Sequence, residues 1–364
     1  MFTGKVMVFR VDSSLNIGTG HVMRCLTLAD ALKEAGAVCQ FIMKDLEGNS
    51  ADFVKNKGYD CSLITPTENA IENNNNCLLL GESQIQDAKS FLGCLVGISP
   101  DWIIVDNYFL DAEWESRVKG KNSRVMVIDD LANRYHECDV LLDQNLGRND
   151  LDYKPWLKKE CRKLFGPEYS LLRKEFSHNR TESLNRRVDN KLGKILISMG
   201  GIDKENVTSL VLKALSFIDF PSTIQITVVM GTKAPCIEQV RKCAQLLPWQ
   251  SQVLVGVNDM AQLMSSHDIA IGAAGSTAWE RCALGMPAVM VVVADNQKVI
   301  AQELESHDAA WVIWHPEEIS TRLPVIIKSL TTDPKLLSRY SLTSAKLTDG
   351  KGTQRVVKCM EDLI

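Results

Sequence analysis

The sequence predicts an α/β protein built from two doubly wound, Rossmann-like domains facing across a cleft. Three observations predict it. Short apolar runs alternate with segments of helical periodicity through the first 142 residues; this alternation restarts near Lys194 after a polar, charged stretch; and several apolar runs exit directly into small-residue loops. Parallel strands joined by right-handed helical crossovers generate this pattern. A chain of 364 residues accommodates two domains of ordinary size.

The elements follow in order. Residues 5–10 form a short apolar run with β-branched positions and read as a buried strand. Residues 22–35 carry apolar side chains at helical spacing (Val22, Leu26, Ala29). Further strands are expected at 38–43, 61–64, 102–105, 125–128 and 140–142, with a helix at 113–119. The low-complexity run Asn73–Asn76 reads as a loop tip. The polar segment that begins near Ser177 reads as an interdomain linker. This sets an N-terminal domain at 1–176, a linker at 177–192 and a C-terminal domain at 193–364. In the latter, strands are expected at 194–198, 224–230, 253–255, 268–271, 288–292 and 311–314. Helices are expected at 206–215, 237–246, 259–265, 276–284 and 299–305.

Composition narrows the function classes. Apolar content of 45% and charged content of 24% suit a soluble globular chain. A net charge of −4 argues against nucleic acid or an anionic membrane as the main partner. The basic clusters at 154–174 and 180–194 are interrupted by acidic residues and read as solvated faces. No run approaches the ~18 apolar residues of a membrane helix, and no signal-peptide pattern opens the chain. Eleven cysteines without a Cys-x-x-Cys pair fit reduced thiols in the cytoplasm, with neither disulfide framework nor zinc site.

Four constellations carry chemistry. The first is Asp12…Ile17-Gly18-Thr19-Gly20-His21…Arg24, a strand, glycine loop and helix that could bring an anion to a helix N-terminus. It fails as a dinucleotide fingerprint, because Met23 holds the third glycine position. His21 would lie in the first helical turn, where the dipole favours neutral imidazole, a form able to take a proton from water. Catalysis, ligand contact and a structural role all remain open for it at this point. The second is Ile271-Gly272-Ala273-Ala274-Gly275-Ser276-Thr277, followed by Glu280. Its small residues permit close backbone approach, Ser276 and Thr277 suit an N-cap and phosphate contact, and Glu280 could accept both ribose hydroxyls. Alone, Glu280 reads as a surface or capping carboxylate. The third is Ser198-Met199-Gly200-Gly201 and the fourth Asp106-Asn107-Tyr108, both at strand exits; Asp295-Asn296-Gln297 follows another strand. Together they line the carboxyl edges of the two sheets, where open α/β folds bind ligands. Asp150-Leu151-Asp152 matches a metal-binding Asp-x-Asp only at the level of chance, and Asp129-Asp130 reads as orienting loops. No cofactor or metal is implied.

These residues resemble a known family. Arg10-x-Asp12…Ile17-Gly18-x-Gly20-His21-x-x-Arg24 is similar to the N-terminal signature of the UDP-sugar hydrolases of pseudaminic acid biosynthesis. The similarity continues through Asp106-x-Tyr108, Asp129-Asp130, His136-x-Cys138-Asp139, Gly166 with Tyr169, Leu172-Arg173, Met199-Gly200-Gly201, Glu280 and Asn296-Gln297. The resemblance implies a glycosyltransferase-B architecture and hydrolysis of UDP-2,4-diacetamido-2,4,6-trideoxy-β-L-altropyranose without a metal. It implies that His21 is the general base and that Tyr108 and Asn296 line the sugar site. Asp12, Gly18, Gly20, Arg24, Arg173, Gly200, Gly201 and Gln297 would contact substrate, while Gly275, Ser276, Thr277 and Glu280 would hold ribose and diphosphate. Water would attack the anomeric carbon opposite UDP and invert it, with domain closure excluding bulk solvent. A glycosyltransferase using an acceptor hydroxyl, and a nucleotide-sugar-binding protein without catalysis, are the competing readings.

Overall fold

The computed structural model describes residues 2–66, 71–72, 79–80, 84–188, 191–333 and 335–364. The chain divides into two compact units, Met1–Leu171 with Gly352–Ile364, and Leu172–Lys351. The loop tip expected at 73–76 lies outside the described residues.

The first unit runs β1 (Val6–Val11), α1 (Gly20–Glu34), β2 (Val38–Lys44), α2 (Ala51–Asn56) and β3 (Asp60–Ile64). A short antiparallel pair, β4 (Ile71–Glu72) and β5 (Leu79–Leu80), precedes α3 (Gln84–Cys94). Then come β6 (Trp102–Asp106), α4 (Ala112–Val118), β7 (Arg124–Ile128), β8 (Val140–Asp143), α5 (Asp150–Tyr153) and β9 (Arg162–Phe165). The main sheet is parallel, in the order β3-β2-β1-β6-β7-β8-β9. Met7, Phe9 and Val11 of β1 enter one core and Val8 the opposite one, so both faces of the sheet are covered. The strand order reverses between β1 and β6, and the loops leaving these two strands therefore diverge and open a crevice.

The second unit opens on α6 (Lys174–Arg186) and continues β10 (Lys194–Ser198), α7 (Val207–Leu215), β11 (Gln225–Met230), α8 (Ile237–Gln245) and β12 (Gln250–Val255). It completes with α9 (Met260–Ser265), β13 (Ile269–Ala273), α10 (Thr277–Ala283), β14 (Ala288–Val291), α11 (Lys298–Ser306), β15 (Trp311–Ile313), α12 (Ile319–Thr332) and α13 (Lys335–Leu347). Its parallel sheet has the order β12-β11-β10-β13-β14-β15 and reverses between β10 and β13. The last helix, α14 (Gly352–Glu361), belongs to the first unit and buries Val356 and Met360 in the core beneath β1.

Three expectations are corrected here. The linker expected at 177–192 is largely α6, a folded part of the second unit. Residues 352–364, placed in the C-terminal domain, belong to the first unit, and Arg173, placed in the N-terminal domain, belongs to the second. The basic cluster at 180–194 is not simply a solvated face. Arg180 donates to the carbonyls of Ala283, Ala345 and Thr348; buried Arg187 donates to those of Met264 and His267; and Ser183 donates to Leu284. These carbonyls lie at the C-terminal ends of α9, α10 and α13, where helices leave acceptors unpaired and cations are favoured. The polar face of α6 thus packs inward because it closes three helix ends.

Candidate active site

In the first unit the site forms at the strand-order reversal. Parallel pairing sets Val11 of β1 beside Asp106 of β6, so the loop after β1 meets the carboxylate that ends β6. Gly18 has φ of +78°, a conformation glycine adopts freely, and its amide donates to Ser14 O at 2.9 Å, closing the turn before α1. Gly20 then starts α1 and places His21 in its first turn.

His21 Nδ1 lies 2.6 Å from Asp106 Oδ1. Arg24, one turn further on, donates from Nε to Asp106 Oδ2 at 2.6 Å and from Nη2 to Oδ1 at 2.7 Å. Burial alone would push the Asp106 carboxyl up, but Arg24 and His21 outweigh it and hold that carboxyl well below the usual range. Asp106 is therefore an acceptor, and at 2.6 Å it outweighs the longer approach of Arg24 Nη2 to Nδ1 at 3.2 Å; a neutral His21 then carries its proton on Nδ1 and its lone pair on Nε2. The His21 side chain is 14% exposed, enough for solvent to reach it.

Arg24 also donates to both Asp130 oxygens, at 3.1 and 2.9 Å, and Tyr108 OH donates to Asp130 Oδ2 at 2.8 Å. The Tyr108 and His21 rings meet edge to face, with centroids 4.8 Å apart. Burial and the Asp130 charge push the Tyr108 phenol up, so it stays protonated and donates. The arrangement is a connected chain: His21, Asp106, Arg24, Asp130, Tyr108.

Two expected substrate contacts are differently employed. Arg24 is buried, with its guanidinium committed to Asp106 and Asp130. Asp12 is buried too; Arg10 and the Lys44 amide donate to Oδ1 at 2.6 and 2.7 Å, and Asn107 to Oδ2 at 2.8 Å. Both hold the loops rather than offering free groups to a ligand. Asp106 and Asp130 were not among the expected contacts, although Asp106-x-Tyr108 at a strand exit was the available signal. Asp129 likewise fastens loops, accepting from Arg134 and Tyr153 at 2.8 Å each. Asp152 completes a capping box with Asn149, which accounts for the Asp-x-Asp sequence without a metal. Among the described residues no group of three or more His, Cys, Asp or Glu is disposed to hold a metal ion.

The second unit presents its own crevice at the β10–β13 reversal. Gly200, with φ of +96°, and Gly201 leave β10, both exposed. The amides of Val207 and Thr208 at the start of α7 donate to Asp203 at 2.9 and 3.0 Å, so this helix end already holds a carboxylate. At the start of α10, Ser276 is exposed and makes no side-chain cap, contrary to expectation; Gly275 and Thr277 are half-buried. Glu280 stands one turn into α10, and burial pushes its carboxyl up to about 7 despite the nearby Arg173 and Arg281. Arg173 pairs with Glu175 at 2.8 Å and donates to Asn258 O at 3.1 Å. Asn296 is exposed on the turn Asp295–Gln297, whereas Gln297 Oε1 accepts from the Val293 amide at 3.1 Å and pins that turn.

Comparison with known proteins is consistent with this architecture. Residues 195–355 match the glycosyltransferase family 28 C-terminal domain. The chain is 24% identical over 357 residues to the spore coat polysaccharide biosynthesis protein SpsG of Bacillus subtilis, covering 97% of this chain and 96% of that protein. It is 25% identical over 296 residues to the UDP-2,4-diacetamido-2,4,6-trideoxy-beta-L-altropyranose hydrolase of Campylobacter jejuni, covering 81% and 94%. An uncharacterised protein of Methanocaldococcus jannaschii is 25% identical over 79% of this chain, which spans only 55% of that longer protein. Among solved structures, MurG of Acinetobacter baumannii superposes with a TM-score of 0.71 at 17% identity, covering 99% of each chain.

Proposed function

We infer that this chain, with its glycosyltransferase-B fold, acts on a UDP-sugar. We propose that it is a UDP-sugar hydrolase, acting on UDP-2,4-diacetamido-2,4,6-trideoxy-β-L-altropyranose, with His21 as general base. The observation that carries this reading is the His21–Asp106 pair: the carboxylate favours the Nδ1–H tautomer of a part-exposed imidazole, so that Nε2 is the nitrogen available to take a proton. Nε2 takes a proton from water as the water oxygen bonds to the anomeric carbon. The bond from that carbon to the diphosphate oxygen breaks on the opposite face, so the anomeric centre inverts and UDP leaves with the electron pair. Tyr108, held by Asp130, borders the base in the first unit, and in the second unit Asn296 lies exposed at its own strand exit. The uncapped start of α10 and the Gly275–Thr277 loop would receive the diphosphate, and Glu280 the ribose. The C. jejuni relative, whose name states this hydrolysis, supports the substrate assignment.

The family 28 match favours a second reading, transfer of the sugar to an acceptor hydroxyl in place of water. One experiment separates the two. Purified protein is incubated with the UDP-sugar in the absence of any acceptor, and products are followed by NMR. Stoichiometric UDP and free sugar of inverted anomeric configuration are expected; no UDP release without an added acceptor would refute the hydrolase.

A further inference from the structure

Arg281 is a cation that the proposed chemistry leaves unused. It lies on α10, is only 3% exposed, and points back beneath the loop that joins β13 to α10. Nη2 donates to Ala273 O at 2.7 Å, the last residue of β13. Nη1 occupies the space a side chain at position 272 would need: a Cβ on Gly272 would sit 2.5 Å from it and 2.5 Å from Ser198 O. Gly272 is thus small to admit a guanidinium, and not, as the sequence suggests, a ligand. Nε has no hydrogen-bond partner, and among the described residues Arg281 forms no ion pair. Burial without a paired anion pushes its pKa down to about 10, the mark of a charge held at a cost. Glu280 beside it is drawn up to about 7 by its own burial and compensates it only in part near neutrality.

We propose that Arg281 is a positioning residue of the nucleotide site, a fixed buried countercharge beneath the Gly272–Thr277 loop that selects an anionic diphosphate over the bare nucleoside. This rests on the reading that UDP binds to that loop. A buried cation is weakly screened, so its field reaches an anion on the loop without direct contact. Its bond to Ala273 O also holds the end of β13 in place before the ligand arrives.

The test is calorimetric binding of UDP and of uridine to wild type, Arg281→Gln and Arg281→Lys, with circular dichroism to verify folding. In wild type, UDP should bind at least tenfold more tightly than uridine. Arg281→Gln should lose that preference by about tenfold while uridine affinity stays within about twofold. Arg281→Lys, which keeps a cation and drops the Nη2 bond to Ala273 O, should keep the preference within about threefold. A folded Arg281→Gln protein with the wild-type preference would overturn the proposal. So would an Arg281→Lys protein that loses the preference tenfold, since the effect would then belong to loop geometry; this variant decides if Arg281→Gln does not fold. Wild-type protein that binds UDP no better than uridine would refute the diphosphate site itself, a distinct result.

Discussion

Asp106→Asn isolates what the carboxylate does for His21. The side chain keeps its volume, yet only one oxygen remains to accept where Asp106 now receives His21 Nδ1 at 2.6 Å and Arg24 at 2.6 and 2.7 Å. The amide NH₂ must face one of these donors, so two charge-assisted bonds are lost or weakened. At about 1.5–3 kcal/mol each, and with Arg24 keeping one bond to the remaining oxygen beside its pair with Asp130, the fold should lose about 3–6 kcal/mol. That is a large part of the ~5–15 kcal/mol that holds a typical domain, but it leaves a folded protein at 25 °C to assay. The sign of the pH dependence follows from the depressed Asp106 carboxyl. Its stabilisation is complete above the ordinary carboxylate range near ~4 and fades only as pH falls through the lower folded value. The urea midpoint of the variant should therefore lie below that of wild type throughout pH 5–8. Chemistry suffers separately: an imidazole no longer held as the Nδ1–H tautomer presents its lone pair to water for a smaller fraction of the time. UDP release should drop about 10²–10⁴-fold, the range of general-base contributions, while calorimetric UDP affinity stays unchanged. A folded Asp106→Asn protein with kcat within threefold of wild type would refute the dyad.

The remaining predictions use the same assays. His21→Asn should lower kcat by about 10²–10⁴-fold with little effect on UDP affinity, and near-normal turnover would remove His21 as base. Glu280→Ala should weaken uridine binding by about 1.5–3 kcal/mol, through loss of a charge-assisted pair of hydrogen bonds; unchanged affinity would take Glu280 out of the site. Because the Glu280 carboxyl is pushed up to about 7 by burial, uridine affinity should rise as pH increases through 7, and should be flat in Glu280→Gln. The same shift has the opposite sign for stability: the protonated form favours the fold below ~4.5, and this contribution is lost as pH rises through 7. Turnover should survive exhaustive EDTA, since loop amides, hydroxyls and a buried arginine are available to meet the diphosphate; loss of activity restored by Mg²⁺ or Mn²⁺ would contradict this.

What the sequence disclosed of the fold tracks how burial is achieved. The strand β1 was legible because Met7, Phe9 and Val11 on one side and Val8 on the other all meet apolar cores. The edge strand β9 was not, because Arg162 and Lys163 give it the charged character that protects an exposed edge. The helix α6 was misread for a related reason. Its inward face is Arg180 and Ser183, continued by Arg187 at its C-terminal cap, and their partners are the carbonyl ends of three helices distant in sequence. Apolar periodicity detects burial against hydrocarbon and is blind to burial against unpaired carbonyls.

The site divides along the same line. The gathering of the glycine loops was legible, since loops at strand exits must meet at the carboxyl edge of each sheet once its strands are parallel, and the order reversal chooses which two loops meet. The role of each charge was not, because a carboxylate's task depends on the strand beside it. Asp106 lies 85 residues from His21, and only the β1–β6 pairing brings them together. Without that pairing Arg24 looks free to meet a phosphate; with it, Arg24 is the clamp between Asp106 and Asp130, which hold His21 on one side and Tyr108 on the other. Asp12, engaged by Arg10, Lys44 and Asn107, holds the neighbouring loop in the same way. The charged residues nearest His21 are thus spent on one another, and the second ring nitrogen of His21 is the group that the proposed chemistry would use. That division predicts which substitutions separate folding from chemistry: changes at Arg24 or Asp12 should disturb both together, whereas His21→Asn should disturb chemistry alone.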